Sequence, residues 1–173
     1  TLSSSTPAGN DINVSNTANI FLTFDENVNA GDGDIIIKKT TDNSIFETIA
    51  ANSNLVTGTG TDVIEINPSN TFASGTEYYV VIDSDAFKDL TSNYYAGISS
   101  TTELSFTTLD STDPNLSSSS PAHLNTGVAF DANIILNFSE AVDVESGNIT
   151  IKKTSDDSTV EAIDVTSSQV TGS

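Results

Sequence analysis

Apolar and polar residues alternate along most of this chain, and that alternation limits it to strands with one buried face. In Asn-Ile-Phe-Leu-Thr-Phe, residues 19–24, Ile20, Leu22 and Phe24 share one side, and Phe21 and Thr23 share the other. The same period runs through 34–39, 44–50, 62–68, 77–83 and 103–108, with a shorter candidate near 2–5. Slipping any strand by one residue would turn its whole apolar set outward, so the period also sets the pairing register. Turn-forming clusters separate the strands: Ala-Gly-Asp-Gly-Asp at 30–34, Thr-Gly-Thr-Gly-Thr-Asp at 57–62, and the Pro-, Ser- and Gly-containing stretch 67–76. No helical period is present, although 84–93 has room for one short turn.

The pattern occurs twice. With Pro7 laid over Pro121, Asn-Ile-Phe-Leu-Thr-Phe-Asp-Glu-Asn-Val (19–28) falls on Asn-Ile-Ile-Leu-Asn-Phe-Ser-Glu-Ala-Val (133–142). Without a gap, 34–44 then falls on 148–158 and Val-Thr-Gly (56–58) on Val-Thr-Gly (170–172), and about half the overlaid positions are identical. Comparing the copies sorts the two faces. Ile20, Leu22 and Phe24 recur as Ile134, Leu136 and Phe138, whereas Phe21 becomes Ile135 and Thr23 becomes Asn137. Likewise Ile35 and Ile37 recur as Ile149 and Ile151, while Ile36 becomes Thr150. The recurring set is expected to face inward.

About seven alternating strands in about 110 residues predict an all-β fold, an immunoglobulin-like antiparallel β-sandwich. The second copy has no counterpart of 60–110. The expected organisation is one complete module over 1–110 and the N-terminal half of a second over 111–173, with the Pro- and Ser-rich stretch 109–117 as their junction. A frame shifted to about 61–173 is the competing division. Half a sandwich leaves strand edges and one face unpaired. Completion by self-association is therefore an expected interaction if the chain stops there, and continuation of a longer chain is the other expectation.

Specific stretches then resemble a known family. Residues 5–28, Ser-Thr-Pro-Ala-Gly-Asn onward to Phe24-Asp25-Glu26-Asn27-Val28, are similar to the opening of the tandem bacterial Ig-like modules of S-layer proteins and large surface adhesins. Phe138-Ser139-Glu140-Ala141-Val142 repeats that element. Residues 66–82 resemble the family's Pro, Leu, Gly-Thr-x-Tyr segment, with Phe72 in the Leu place. Residues 87–93 resemble its Lys-Asp-Leu-x-Gly-Asn loop, with Ser92 where Gly is usual, and 104–108 its closing strand. The resemblance implies a repeated, non-catalytic extracellular or cell-surface module, often calcium-binding, whose partners are neighbouring repeats of the same protein.

Composition narrows the rest. Twenty-four Asp and Glu face five Lys, a formal charge of -19. Such a surface repels phosphate backbones, which excludes nucleic-acid binding. No apolar run reaches the length of a membrane span, so no membrane insertion is expected. With no Cys there are no disulfides and no thiol chemistry. The one histidine, His123, overlays Gly9 in a turn and reads as a solvated residue rather than an acid–base catalyst. Gly-Thr-Gly-Thr-Asp (58–62) lacks the Lys and the strand–helix context of a phosphate loop. Nothing here predicts an enzyme.

The acidic loops are the candidate site. In a sandwich of this type the loop after the second strand and the loop before the last strand share one end. The first holds Asp25, Glu26, Asp32 and Asp34, and the second holds Asp83, Asp85 and Asp89. The linker entering the second copy brings Asp110 and Asp113 toward Glu140 and Asp143. Calcium takes hard oxygens from carboxylates, amides and carbonyls. The expected ligands are Glu26, Asp89, Asp110, Asp113 and Glu140, with Glu26 and Glu140 in the same place in both copies. The alternative is a solvated acidic coat. A second functional alternative is a carbohydrate- or protein-binding module that uses Tyr79, Tyr94 and Tyr95 as an exposed patch.

Overall fold

A computed structural model describes residues 1–172 as part of two compact units, Thr1–Thr112 and Asp113–Ser173. The first unit contains β1 (Leu2–Thr6), β2 (Asp11–Val14), β3 (Ile20–Ala30), β4 (Asp34–Lys39), β5 (Ile45–Ala50), β6 (Val56–Thr57), β7 (Thr61–Ile66), β8 (Glu77–Ile82), β9 (Phe87–Asp89) and β10 (Ser105–Thr108). One sheet runs β1-β3-β7-β6, with β9 also on β3, and the other runs β2-β10-β8-β4-β5. All pairs are antiparallel except β2 with β10, which is parallel. The all-β sandwich follows from the alternation. Ile20, Leu22, Ile35, Ile37, Ile64, Ile66, Tyr78 and Val80 are fully buried between the sheets. Their non-polar area removed from water is the main favourable term in folding, at about 25 cal/mol per Å².

Three strands were not legible in the sequence. β6 is two residues long, and β2 (Asp11-Ile12-Asn13-Val14) alternates over only four residues and buries none of them fully, so neither stands out as a strand with one buried face. β9 lies within the 84–93 stretch, which had room for one short helical turn. The reason is tertiary. β3 is eleven residues long, and β1 pairs along one of its edges only from Phe21 to Phe24, so the far end of β3 overhangs β1. β9 covers that overhang, pairing Val28 with Asp89 and Ala30 with Phe87. It thereby satisfies backbone groups that would otherwise be an open edge and buries Phe87 completely.

The crossover from β7 to β8 passes from one sheet to the other, and it is held by a plug and a clamp. Phe72, which lies in no strand, is buried between the rings of Phe46 (4.9 Å between centroids), Tyr78 (4.9 Å) and Phe106 (5.3 Å). Glu47, on β5, is the clamp. Its Oε1 accepts from Ser69 N (3.0 Å) and Ser69 Oγ (2.6 Å), and its Oε2 from Asn70 N and Asn70 Nδ2 (both 3.2 Å). Burial pushes the Glu47 carboxyl up, but the Ser69 and Asn70 donors outweigh it and hold the carboxyl below its ordinary value. The turn from β3 to β4 demands glycine at Gly33. A Cβ there would stand 2.3 Å from Asp85 Oδ1 and 2.6 Å from Ala86 N.

The second unit contains β11 (Leu116–Ser120), β12 (Ile135–Phe138), β13 (Asn148–Lys152) and β14 (Thr159–Asp164), in two two-stranded sheets. Each pair repeats its counterpart in the first unit. Leu116 faces Phe138 and Ser118 faces Asn137, as Leu2 faces Phe24 and Ser4 faces Thr23, with the same local irregularity. Asn148 to Ile151 pair with Asp164 to Glu161 as Asp34 to Ile37 pair with Ala50 to Glu47. Thr6-Pro7 and Ser120-Pro121 are both cis, and Ser5 Oγ and Ser119 Oγ donate to the Pro7 and Pro121 carbonyls at 2.8 and 3.0 Å. The inward assignment does not carry over as burial. Ile134, Leu136 and Phe138 are 51, 37 and 39 % exposed, where Ile20, Leu22 and Phe24 are 0, 0 and 3 %. Among the described residues, no counterpart of β7 to β10 covers them.

Candidate functional site

The two acidic loops of the first unit do meet. Gly31 N donates to Ala86 O (2.7 Å), Asp83 N to Asp34 O (2.9 Å), and Asp34 N to the Asp83 carboxylate (3.1 Å). The contact is made by backbone groups and one carboxylate oxygen. Asp32 turns aside to accept from Asn52 Nδ2 (3.2 Å). Glu26 stands exposed in the irregular part of β3, where the strand stops pairing with β7 at Thr23 and resumes at Val28.

Asp89 is a staple for its own loop. Its Oδ1 accepts from Thr91 N (2.7 Å) and Asn93 N (2.8 Å), and its Oδ2 from Asn93 Nδ2 (2.7 Å). Thr91 Oγ1 reaches both oxygens at 2.9 Å. The Asn93 and Thr91 donors pull the Asp89 carboxyl from 3.8 down to about 2. A carboxylate so occupied has little left to offer a cation. Because its pKa is depressed in the folded chain, the staple is present above the ordinary carboxylate pKa and is lost as pH falls toward 2. The Thr91 and Asn93 amide resonances should titrate together with a midpoint near 2, and that titration should vanish in Asp89→Asn. A midpoint near 3.8 would show that the staple does not form in solution.

Asp110 performs a similar turn role. Its Oδ1 accepts from Ser74 Oγ (2.8 Å) and from Thr112 N (3.0 Å). In the second unit Asp113 is exposed and its carbonyl accepts from Asn115 Nδ2 (3.0 Å), while Glu140 is half-buried just after β12. Glu26, Asp89 and Asp110 thus lie in the first unit, and Asp113 and Glu140 in the second. Among the described residues, no group of three or more His, Asp or Glu is placed to hold a metal ion.

The tyrosine patch does not form as expected. Tyr79 is 3 % exposed and donates its hydroxyl to Asn43 Oδ1 at 3.0 Å. Tyr95 is half-buried, edge-on to Phe24 at 5.3 Å. Tyr94 is exposed, with Lys88 Nζ 5.9 Å from its ring centre. Alternation alone places Tyr79 outward, but the chain from Thr40 to Ser44 lies across that face. Sequence reasoning also passed over Glu47. The available signal was its recurrence as Glu161 where the residues on either side change, Phe46 to Val160 and Thr48 to Ala162.

Residues 1–108 and, separately, 110–172 match the family model described as bacterial Ig-like domain. No curated protein gives a significant match. Among solved structures, CopC from Methylosinus trichosporium OB3b aligns with a TM-score of 0.47 at 16% identity, over 65% of this chain and 95% of that one. The S-layer protein rSbsC(31-844) aligns with a TM-score of 0.39 at 14% identity, over 95% of this chain but only 22% of that one. With both units covered by the same family model, the chain belongs to the bacterial Ig-like domain family as two tandem members.

Proposed function

We propose that this chain is a structural, adhesive-type repeat of a bacterial cell-surface protein, extracellular and non-catalytic, whose partners are neighbouring repeats of the same protein. The observation that supports this reading is the tandem itself: two members of one family follow each other with matching strand registers in their first halves. A sandwich pinned by a buried aromatic plug is a stiff bead, and repeating it extends reach without requiring a cleft. Among the described residues, no helix is long and apolar enough to cross a membrane. An antibody raised against the first unit should label intact cells of the source bacterium. Labelling only after lysis would sink the reading.

The acidic loops enter this proposal as a charged coat, with calcium as its testable alternative. A net charge of -19 makes the folded chain repel itself, and any divalent ion screens that repulsion. Calcium and magnesium at equal ionic strength should therefore raise the melting temperature alike. A calcium-specific rise, reduced by Glu26→Gln or Asp113→Asn, would instead show a ligand bound to the native state alone.

A further inference from the structure

We propose that the Asp113–Pro114 peptide bond is a built-in scission site, where the Asp113 carboxylate cuts its own chain between the two units while Asn115 holds the attacked carbonyl. Of the four prolines only Pro114 follows an acid; Pro7, Pro68 and Pro121 follow Thr6, Asn67 and Ser120. The chain is fastened on both sides of this bond. Before it, Ser111 N and Thr112 Oγ1 reach Ser74 Oγ at 2.8 and 3.0 Å. After it, Asn115 N donates to Ser139 Oγ (2.9 Å) and Asn115 O accepts from Ser139 N (2.8 Å). Asp113 and Pro114, between these anchors, are exposed and lie in no strand. β10 ends at Thr108 and β11 begins at Leu116, so a cut at this bond removes no strand from either unit.

The chemistry needs only groups that are present, together with water. The Asp113 carboxylate attacks its own main-chain carbonyl carbon and closes a cyclic anhydride, an intramolecular step that ring closure favours. The bond from that carbon to the Pro114 nitrogen breaks. The nitrogen leaves with the electron pair and takes a proton from solvent, so the rate rises as pH falls. Water then opens the anhydride, leaving Asp113 as a new C-terminus and Pro114 as a new N-terminus; one water is consumed and nothing is oxidised or reduced. Proline also closes a competing route, because a nitrogen without a hydrogen cannot turn on the Asp113 side chain to form a succinimide. Negative charge develops on the Asp113 carbonyl oxygen during the attack, and Asn115 Nδ2 already donates to that oxygen at 3.0 Å. The two main-chain bonds to Ser139 hold this donor in place, so the fold of the second unit supplies it.

The test holds the purified whole chain at a mildly acidic pH where its circular dichroism is still native, beside a synthetic peptide of residues 108–120, and follows both by intact mass. The expected products of the chain are 1–113 and 114–173, formed faster than the same bond is cut in the peptide. Asp113→Glu, an exposed change that keeps the charge but enlarges the ring to be closed, should slow the cut about tenfold or more. Asn115→Ala leaves the main-chain bonds to Ser139 in place and should slow it about tenfold, to the rate of the peptide. The proposal is overturned if the folded chain is cut no faster than the peptide, or if Asn115→Ala is cut as fast as the wild type, because the bond would then have only the lability of any Asp-Pro pair. It is equally overturned if cutting falls at other bonds, persists in Asp113→Glu, or stops with protease inhibitors, which would assign it to a contaminating enzyme.

Discussion

Replacing Leu22 by alanine should destabilise the first unit by about 2–5 kcal/mol, whereas the same change at Leu136 should cost under about 1 kcal/mol. The two leucines occupy equivalent positions in the repeat and face the same way from equivalent strands. Leu22 is fully buried against the opposite sheet, so its truncation loses transfer free energy and leaves a cavity that the packed strands cannot close. Leu136 is already 37 % exposed, so most of that loss has no counterpart. All four tyrosines lie in the first unit, so denaturant unfolding followed by tyrosine fluorescence reports on that unit alone. Leu136→Ala should leave this transition unmoved and change the far-ultraviolet signal of the second unit only slightly. Equal damage from the two substitutions would mean that the exposed face of the second unit is covered in solution.

The second large effect belongs to Phe72→Ala, which should cost the first unit about 3–5 kcal/mol although Phe72 lies in no strand. Its ring touches Phe46, Tyr78 and Phe106, and those rings come from β5, β8 and β10. Removing it empties the space beneath the crossover and forfeits three aromatic contacts, each worth about 0.5–1.5 kcal/mol beyond area. The Tyr78 hydroxyl, which accepts from Ala73 N at 3.0 Å, also loses the neighbour that aligns it. Phe72→Leu should keep most of the fill and cost no more than about 1.5 kcal/mol. If Phe72→Ala unfolds at nearly the wild-type denaturant concentration, the crossover is not a plug and the sandwich closes without it.

Leu22 and Phe72 also mark how far the sequence can be read. Leu22 belongs to a period-2 run, and its side follows from its neighbours before any partner strand is known. The recurrence of the same run as residues 133–138 doubles that signal. Phe72 has no period around it, and its burial depends on where the crossover passes. The same division holds for the acids. Asp89 was legible as a loop acid, but its role as a staple follows from donors at Thr91 and Asn93 that fold back on it. Glu47 reads in the sequence as one more acid within a strand, and only the approach of Ser69 and Asn70 makes it a clamp.

By itself, the sequence determined the all-β class, the inward face of each long strand, the tandem repeat and the acidic coat. Each of these rests on side-chain order along the chain, which local backbone geometry converts directly into direction. Tertiary structure alone decided which strands neighbour one another, that β9 completes the overhanging end of β3, and that Asp89 accepts from donors of its own loop. Those outcomes depend on contacts between residues far apart in the chain. It also decided that one repeated face is core in the first unit and exposed in the second. Direction is a property of the strand, but burial is a property of what lies opposite.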